Sequence, residues 1–244
     1  MRTIYLDGRY FNVRAQIIDA LTPGHFKVKG VFETMLGIDG AVLDMALHIK
    51  RLRQGLKDLK IKPPLINPLV FKKLLVANKL FCARVRIMVW QDGRQAHVVA
   101  VAMPYKIPVK KSYRVCLIKT ARGANNHAAN IKSLDYGLFL DAYTQARKQG
   151  YDEALLLNRN GYIFEASRAN IFWIKENILY TPPLSSGCLK GIARQQVIRQ
   201  AKNLKAVVKE QNLTLKILKE ADCAFLTNSL LGIKSIDLTT INKL

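Results

Sequence analysis

One interruption limits what this chain can fold into. From Pro104 to Ser112 it reads PYKIPVKKS, and on either side strand-length apolar runs alternate with amphipathic stretches of helical period. Proline lacks a backbone donor and pushes the residue before it out of helical geometry, so two prolines this close mark a connection between folded parts. The sequence therefore predicts two α/β domains, over residues 1–105 and 114–244, joined by a linker at 106–113. With 244 residues, 50% of them apolar, each half is long enough to bury a core of its own. No run approaches the roughly 18 uninterrupted apolar residues of a membrane span. The opening MRTIYLDGRYFNV has no apolar signal segment, so a cytoplasmic protein without a membrane partner is expected.

In the first half the pattern predicts a hairpin, TIYLDGRYF, turning at Asp7-Gly8, then a strand over Gly30–Leu36 and helices at about 43–60 and 68–79. Two strands, Ala83–Trp90 and Ala96–Met103, close it. The second half restarts with a strand at 114–120 and a helix at 135–149, capped by Asp135. Short strands follow, separated by Asn160-Gly161 and Glu176-Asn177, then a helix at 191–202 and a strand at Cys223–Leu226.

Composition adds charge. Lys and Arg number 39 against 17 Asp and Glu, a formal +22, which admits nucleic acid, an anionic surface or an acidic small molecule as partner. The basic residues run from Arg2 to Lys243 without forming one block, which weakens a nucleic-acid arm. Cys82, Cys116, Cys188 and Cys223 lie far apart and the four histidines are equally scattered, so neither zinc spacing nor a CxxC pair is present and buried free thiols are expected.

Several residues stand out against this background. On the helix at 43–60, Met45, Ile49, Leu52, Leu56 and Leu59 form an apolar stripe and Arg51 projects from its flank, where a solvated arginine is the ordinary reading. In CARVRIMVW, Arg84, Arg86, Met88 and Trp90 share one face of a strand. A half-buried guanidinium needs an anion, and either a ligand carboxylate or a buried Asp or Glu would satisfy it. The polar run Asn125–Tyr136 holds Lys132. Glu165 ends an apolar strand beside Ala166-Ser167. Gly191 opens a helix whose free amides suit a phosphate, and Thr227-Asn228-Ser229 follows a strand with hydroxyls that suit one too.

Taken as a set, GVFET (30–34), HIKRL (48–52), IKSLDY (131–136), GYDEALLLNRNGYIFEASRANIFWI (150–174), YTPPL (180–184), GIAR (191–194) and ADCAFLTNSLLGI (221–233) resemble the fold-type IV pyridoxal-phosphate enzymes. These include branched-chain aminotransferases, D-amino-acid aminotransferases and 4-amino-4-deoxychorismate lyases. The motifs cover most of the chain in the family's order. The resemblance implies a two-domain α/β fold like that of the D-amino-acid aminotransferases, a homodimer, and pyridoxal 5'-phosphate at the domain interface. It implies Lys132 as the Schiff-base lysine and proton-transfer base, and Glu165 as partner of the pyridine nitrogen. Arg51, the amides of Ile192 and Ala193, and Ser229 with Asn228 beside it would bind the phosphate. Tyr136 would lie near the cofactor, Thr34 would aid proton transfer, and Arg86, with Arg84, would receive a substrate carboxylate. Asn170 belongs to a matched motif without an assigned contact.

Within the family, the four-residue step from Lys132 to Tyr136 and the run Thr227–Leu230 look like the lyases. The implied reaction converts 4-amino-4-deoxychorismate, a small dianion, to p-aminobenzoate and pyruvate for folate synthesis. A class IV aminotransferase acting on a D-amino or branched-chain amino acid is the alternative, and a basic nucleic-acid-binding protein a more remote one. Two departures from the family pattern stand: ALTPGHFKVKG at 20–30, where the substrate entrance is expected, and Asp135 where the lyases usually carry Asn.

Overall fold

In the computed structural model, which describes residues 1–25, 28–120 and 130–243, the chain divides into two compact units. One comprises Met1–Ile107 together with Ile131–Gly137, the other Pro108–Asn130 and Leu138–Leu244. Phe26, Lys27, Arg122 and the Asn125–Ala129 part of the polar run, His127 included, lie outside the described residues.

In the first unit, β1 (Arg2–Leu6) and β2 (Arg9–Val13) form the expected hairpin, with Asp7 and Gly8 both at positive φ, the geometry a two-residue hairpin turn demands. A short helix, α1 (Ala15–Ala20), precedes β3 (Gly30–Ile38) and β4 (Ala41–Val42). Helices α2 (Met45–Asp58) and α3 (Leu69–Ala77) are followed by the long hairpin β5 (Cys82–Asp92) and β6 (Gln95–Pro104). The six strands form one sheet in the order β2-β1-β6-β5-β3-β4. Ile49, Leu52 and Leu56 of α2 pack with Phe71 and Leu74 of α3 and with Val85, Ile87 and Val89 of β5. Leu56 and Phe71 are completely buried, and each stabilises the unit by about 1.5–3 kcal/mol through burial. The other face carries Ile4, Ile18, Phe32, Met88, Val99 and Leu134.

Leu134 comes from the segment 131–137, which the sequence pattern assigned to the carboxy-terminal half. Here it lies along the start of β3, with Phe32 N donating to Lys132 O at 3.0 Å and Leu134 N to Gly30 O at 2.9 Å. Gly30 is required there because a Cβ would meet Leu134 Cδ1 at 2.6 Å and collide with Val89 O.

The second unit begins with β7 (Ser112–Tyr113) and β8 (Val115–Lys119), so structure resumes inside the expected linker. Helix α4 (Gly137–Lys148) crosses from β8 to the parallel strand β9 (Glu153–Leu157). It starts beyond Asp135, which is exposed and outside the helix; the amide of Asp135 instead donates to Ser133 Oγ at 3.1 Å. Then come β10 (Ile163–Ala166), β11 (Asn170–Lys175), β12 (Ile178–Thr181), α5 (Ile192–Asn203), β13 (Val208–Glu210), α6 (Leu215–Lys219), β14 (Cys223–Asn228), β15 (Gly232–Ile236) and β16 (Asn242–Lys243). A four-stranded sheet, β10-β9-β8-β16, and a six-stranded sheet, β13-β12-β11-β14-β15-β7, enclose a core containing Trp173, Ile171, Leu155, Ile163, Leu213 and Leu226. Cys116 and Cys188 are buried, but Cys223 is exposed, because strand alternation turns the first residue of β14 outward while Ala224 and Leu226 point to the core. Among the described residues no helix is long and apolar enough to cross a membrane.

Candidate active site

The placement of 131–137 along β3 brings Lys132 to aromatic neighbours. Its Nζ lies 4.4 Å from the centroid of the Phe32 ring and 5.6 Å from that of Tyr136, and the two rings meet edge to face at 5.2 Å. An amine against ring faces is held by the ring quadrupole as well as by packing. Strand alternation then puts Thr34 on the same face as Phe32, and the β3–β5 register sets Thr34 directly opposite Arg86 and Leu36 opposite Arg84. Lys132, Tyr136, Thr34, Arg86 and Arg84 are thus gathered on one side of the first unit.

Arg86 has an environment that the sequence left open between two anions. Its Nη1 donates to Leu21 O at 2.8 Å and reaches Thr22 Oγ1 at 3.5 Å, while its buried Nε has no partner. Among the described residues no Asp or Glu forms an ion pair with it. Burial, reinforced by the positive charge of Arg84, pulls its pKa down to about 10. A guanidinium drawn out of water without a counter-ion is unfavourable by itself, which leaves Arg86 suited to an anionic ligand. Leu21 and Thr22 belong to the 20–30 segment that departs from the family pattern, and that segment supplies Arg86 with its carbonyl acceptor.

Arg51 is not the solvated flank residue that periodicity suggests. Its Nε and Nη2 each donate to a carboxylate oxygen of Glu33 at 2.6 Å, and His48 Nδ1 lies 2.7 Å from Glu33 Oε2. Glu33 and His48 are fully buried. Alternation along β3 points Glu33 to the α2 side, where Arg51 and His48 reach it. Burial alone would raise the Glu33 pKa, but the charge and hydrogen bonds of Arg51 and His48 outweigh it and bring it from 4.5 to about 2. Glu33 and His48 escaped sequence reasoning because one sits in an apolar strand and the other beside an apolar stripe. Three residues' spacing between His48 and Arg51, which puts both on one helix face, was the available signal.

A folded-state pKa below the unfolded value means that the Glu33 contribution is present above about pH 4.5 and is lost as pH falls through about 2. Glu33→Ala would leave the buried His48 and the partly buried Arg51 without their carboxylate, at a cost of about 3–5 kcal/mol. Thermal denaturation at neutral pH should show Tm lower by roughly 10 °C. A change of only a degree or two would remove Glu33 from this role.

In the second unit Glu165 is 5% exposed and accepts the amide of Leu189 on Oε2 at 3.0 Å. Nearby Cys188 is pushed up to about 12 by burial, with the Glu165 charge adding to it, so this thiol stays protonated. Helix α5 starts after Gly191, has no side-chain cap and no acid in its first turn. The first amides of a helix have no intrahelical acceptor, which leaves those of Ile192 and Ala193 suited to an anion. Asn228 is placed differently from its sequence reading. Its Oδ1 accepts from Leu230 N and Leu231 N at 2.9 and 2.8 Å, and its Nδ2 donates to Arg168 O at 2.8 Å, so this side chain builds the turn after β14. Ser229 lies half-buried in that turn. The first unit offers a lysine amine and the second a buried carboxylate and an uncapped helix start; each is a donor type that pyridoxal phosphate uses, and the residues of each unit fit it.

Fold and donor set together define a cofactor-dependent enzyme, and comparison with known proteins places it. A family model described as amino-transferase class IV matches residues 30–238, and the chain belongs to that family of pyridoxal-phosphate-dependent enzymes. A protein of Methanocaldococcus jannaschii assigned as a branched-chain-amino-acid aminotransferase is 32% identical, over 93% of this chain and 84% of its own length. The aminodeoxychorismate lyase of Bacillus subtilis is 30% identical, over 94% and 84%. A crystal structure from Legionella pneumophila, assigned as a 4-amino-4-deoxychorismate lyase, superposes with a TM-score of 0.79 at 29% identity, covering 86% of this chain and 82% of that one.

Proposed function

We propose that this protein is a pyridoxal-phosphate-dependent 4-amino-4-deoxychorismate lyase that forms p-aminobenzoate and pyruvate, acting as a cytoplasmic homodimer. The observation that carries the reading is Arg86, a half-buried guanidinium that pairs with no Asp or Glu among the described residues, opposite Thr34 on the face that holds Lys132. Bound pyridoxal phosphate supplies an electron sink at the substrate's amine. Lys132 carries the cofactor and takes the ring proton, Glu165 holds the pyridine nitrogen, and Tyr136 packs near it. Arg51, the Ile192 and Ala193 amides and Ser229 hold the phosphate, with Asn228 shaping the turn that carries Ser229. Arg86, supported by Arg84, orients a substrate carboxylate. As the ring C–O bond breaks, the ring becomes aromatic and enolpyruvate leaves, and Thr34 assists protonation of its methylene carbon to give pyruvate.

Aminotransfer to a 2-oxo acid is the second reading, favoured by the resemblance to the Methanocaldococcus protein and equally served by an arginine that binds carboxylates. Purified protein incubated with 4-amino-4-deoxychorismate should release p-aminobenzoate and pyruvate in equal amounts, and should exchange amino groups between branched-chain or D-amino acids and 2-oxo acids far more slowly. The reverse ranking would move the assignment to an aminotransferase.

A further inference from the structure

The peptide on either side of Leu189 is gripped by two buried side chains. Its N–H donates to Glu165 Oε2 at 3.0 Å, and its carbonyl accepts Asn170 Nδ2 at 2.9 Å. Asn170 is the first residue of β11 and only 5% exposed. A primary amide buried at a strand start is unfavourable unless its polar atoms are used, and this one ties the strand to the loop that leads into α5.

The same side chain accounts for Gly191. That residue has φ −65° and ψ 144°, extended torsions that any amino acid adopts, so backbone freedom is not the reason for glycine. The reason is Asn170, whose Oδ1 occupies the space that a Cβ at 191 would fill. With glycine there, the cap position also presents no side-chain oxygen, the group that at most helix starts occupies the amides of the first turn.

We infer that Asn170 is a positioning residue for the cofactor, acting through Leu189 on the Glu165 carboxylate and through Gly191 on the amides of Ile192 and Ala193. The inference rests on the reading in which Glu165 meets the pyridine nitrogen and those amides meet the phosphate. It adds that the two anchoring points are set by one side chain that touches neither the ring nor the phosphate. A shift of the Leu189 peptide therefore moves both anchors together.

The test is equilibrium dialysis of cofactor-stripped full-length protein against pyridoxal 5'-phosphate, for wild type, Glu165→Gln, Asn170→Ala and the double variant. Asn170→Ala should weaken binding by about 10- to 100-fold, the worth of a buried hydrogen bond whose partner is left unsatisfied. Because both substitutions act on one peptide, the double variant should lose less than the product of the two separate losses. Losses that multiply, or wild-type binding by Asn170→Ala beside a weakened Glu165→Gln, overturn the positioning role and leave the Glu165 reading standing. Wild-type binding by Glu165→Gln overturns both. Should Asn170→Ala fail to fold, Gly191→Ala takes its place: its torsions accept alanine, so weakened binding there reports the collision with Asn170, and unchanged binding overturns the inference.

Discussion

Lys132→Ala should lose turnover by roughly 10⁴-fold or more and, in the same protein, the visible absorbance of a lysine-bound cofactor. The two losses belong together because, in the proposed function, a single amine carries the cofactor and then moves the proton. The fold should survive, since the Lys132 side chain is half-buried and the segment that bears it is fixed by backbone bonds to β3 and by Leu134. An unfolding midpoint within a few degrees of wild type would separate chemistry from stability. Retention of colour and activity would take Lys132 out of the site.

Arg86→Met is expected to have a divided effect. The residue is half-buried, its buried Nε has no partner and no acidic side chain is paired with it among the described residues, so an apolar side chain of similar length should leave Tm unchanged or raise it. Truncating the charge proposed to meet a substrate carboxylate should lower kcat/KM by about 10²- to 10³-fold, with cofactor affinity nearly unaffected. Glu33→Ala should do the opposite on stability, which makes the pair informative: the charge of Glu33 is compensated within the fold, and that of Arg86 is proposed to meet a ligand. A Tm that falls sharply in Arg86→Met, with kcat/KM retained, would make Arg86 a structural residue.

Much of the frame could be read from residues taken one element at a time. Asp7-Gly8, Asn160-Gly161 and Glu176-Asn177 mark turns through their backbone chemistry, and the α2 stripe marks its own buried face. Local pattern failed wherever the partner was distant in sequence. The short strands β7, β13 and β16 pair in parallel with β15, β12 and β8, so no turn announces them. Glu33 has no legible role within GVFET, because Arg51 and His48 reach it only when α2 packs on β3. Asp135 has the chemistry of a cap, yet it sits in a tight turn, with Tyr136 N donating to Leu134 O across it at 2.8 Å, and α4 begins only at Gly137. Lys132, Glu165 and the α5 start were recognisable only as an ordered set, since each alone is a commonplace residue, and Asn170 had no legible contact because its two targets lie about twenty residues further along the chain.

The attachment of 131–137 to the first unit also bears on how the protein is made. Domains emerging from the ribosome fold as units, amino-terminal first, but this unit lacks Leu134, a buried member of its core, until residue 137 has been synthesised. Its sheet must therefore wait, partly uncovered, while the opening strands of the second unit are translated. For the same reason a chimaera cut at the 107/108 boundary would part the first unit from the lysine that its own sheet holds in place. An exchange between relatives that preserves function has to carry 131–137 with the amino-terminal piece.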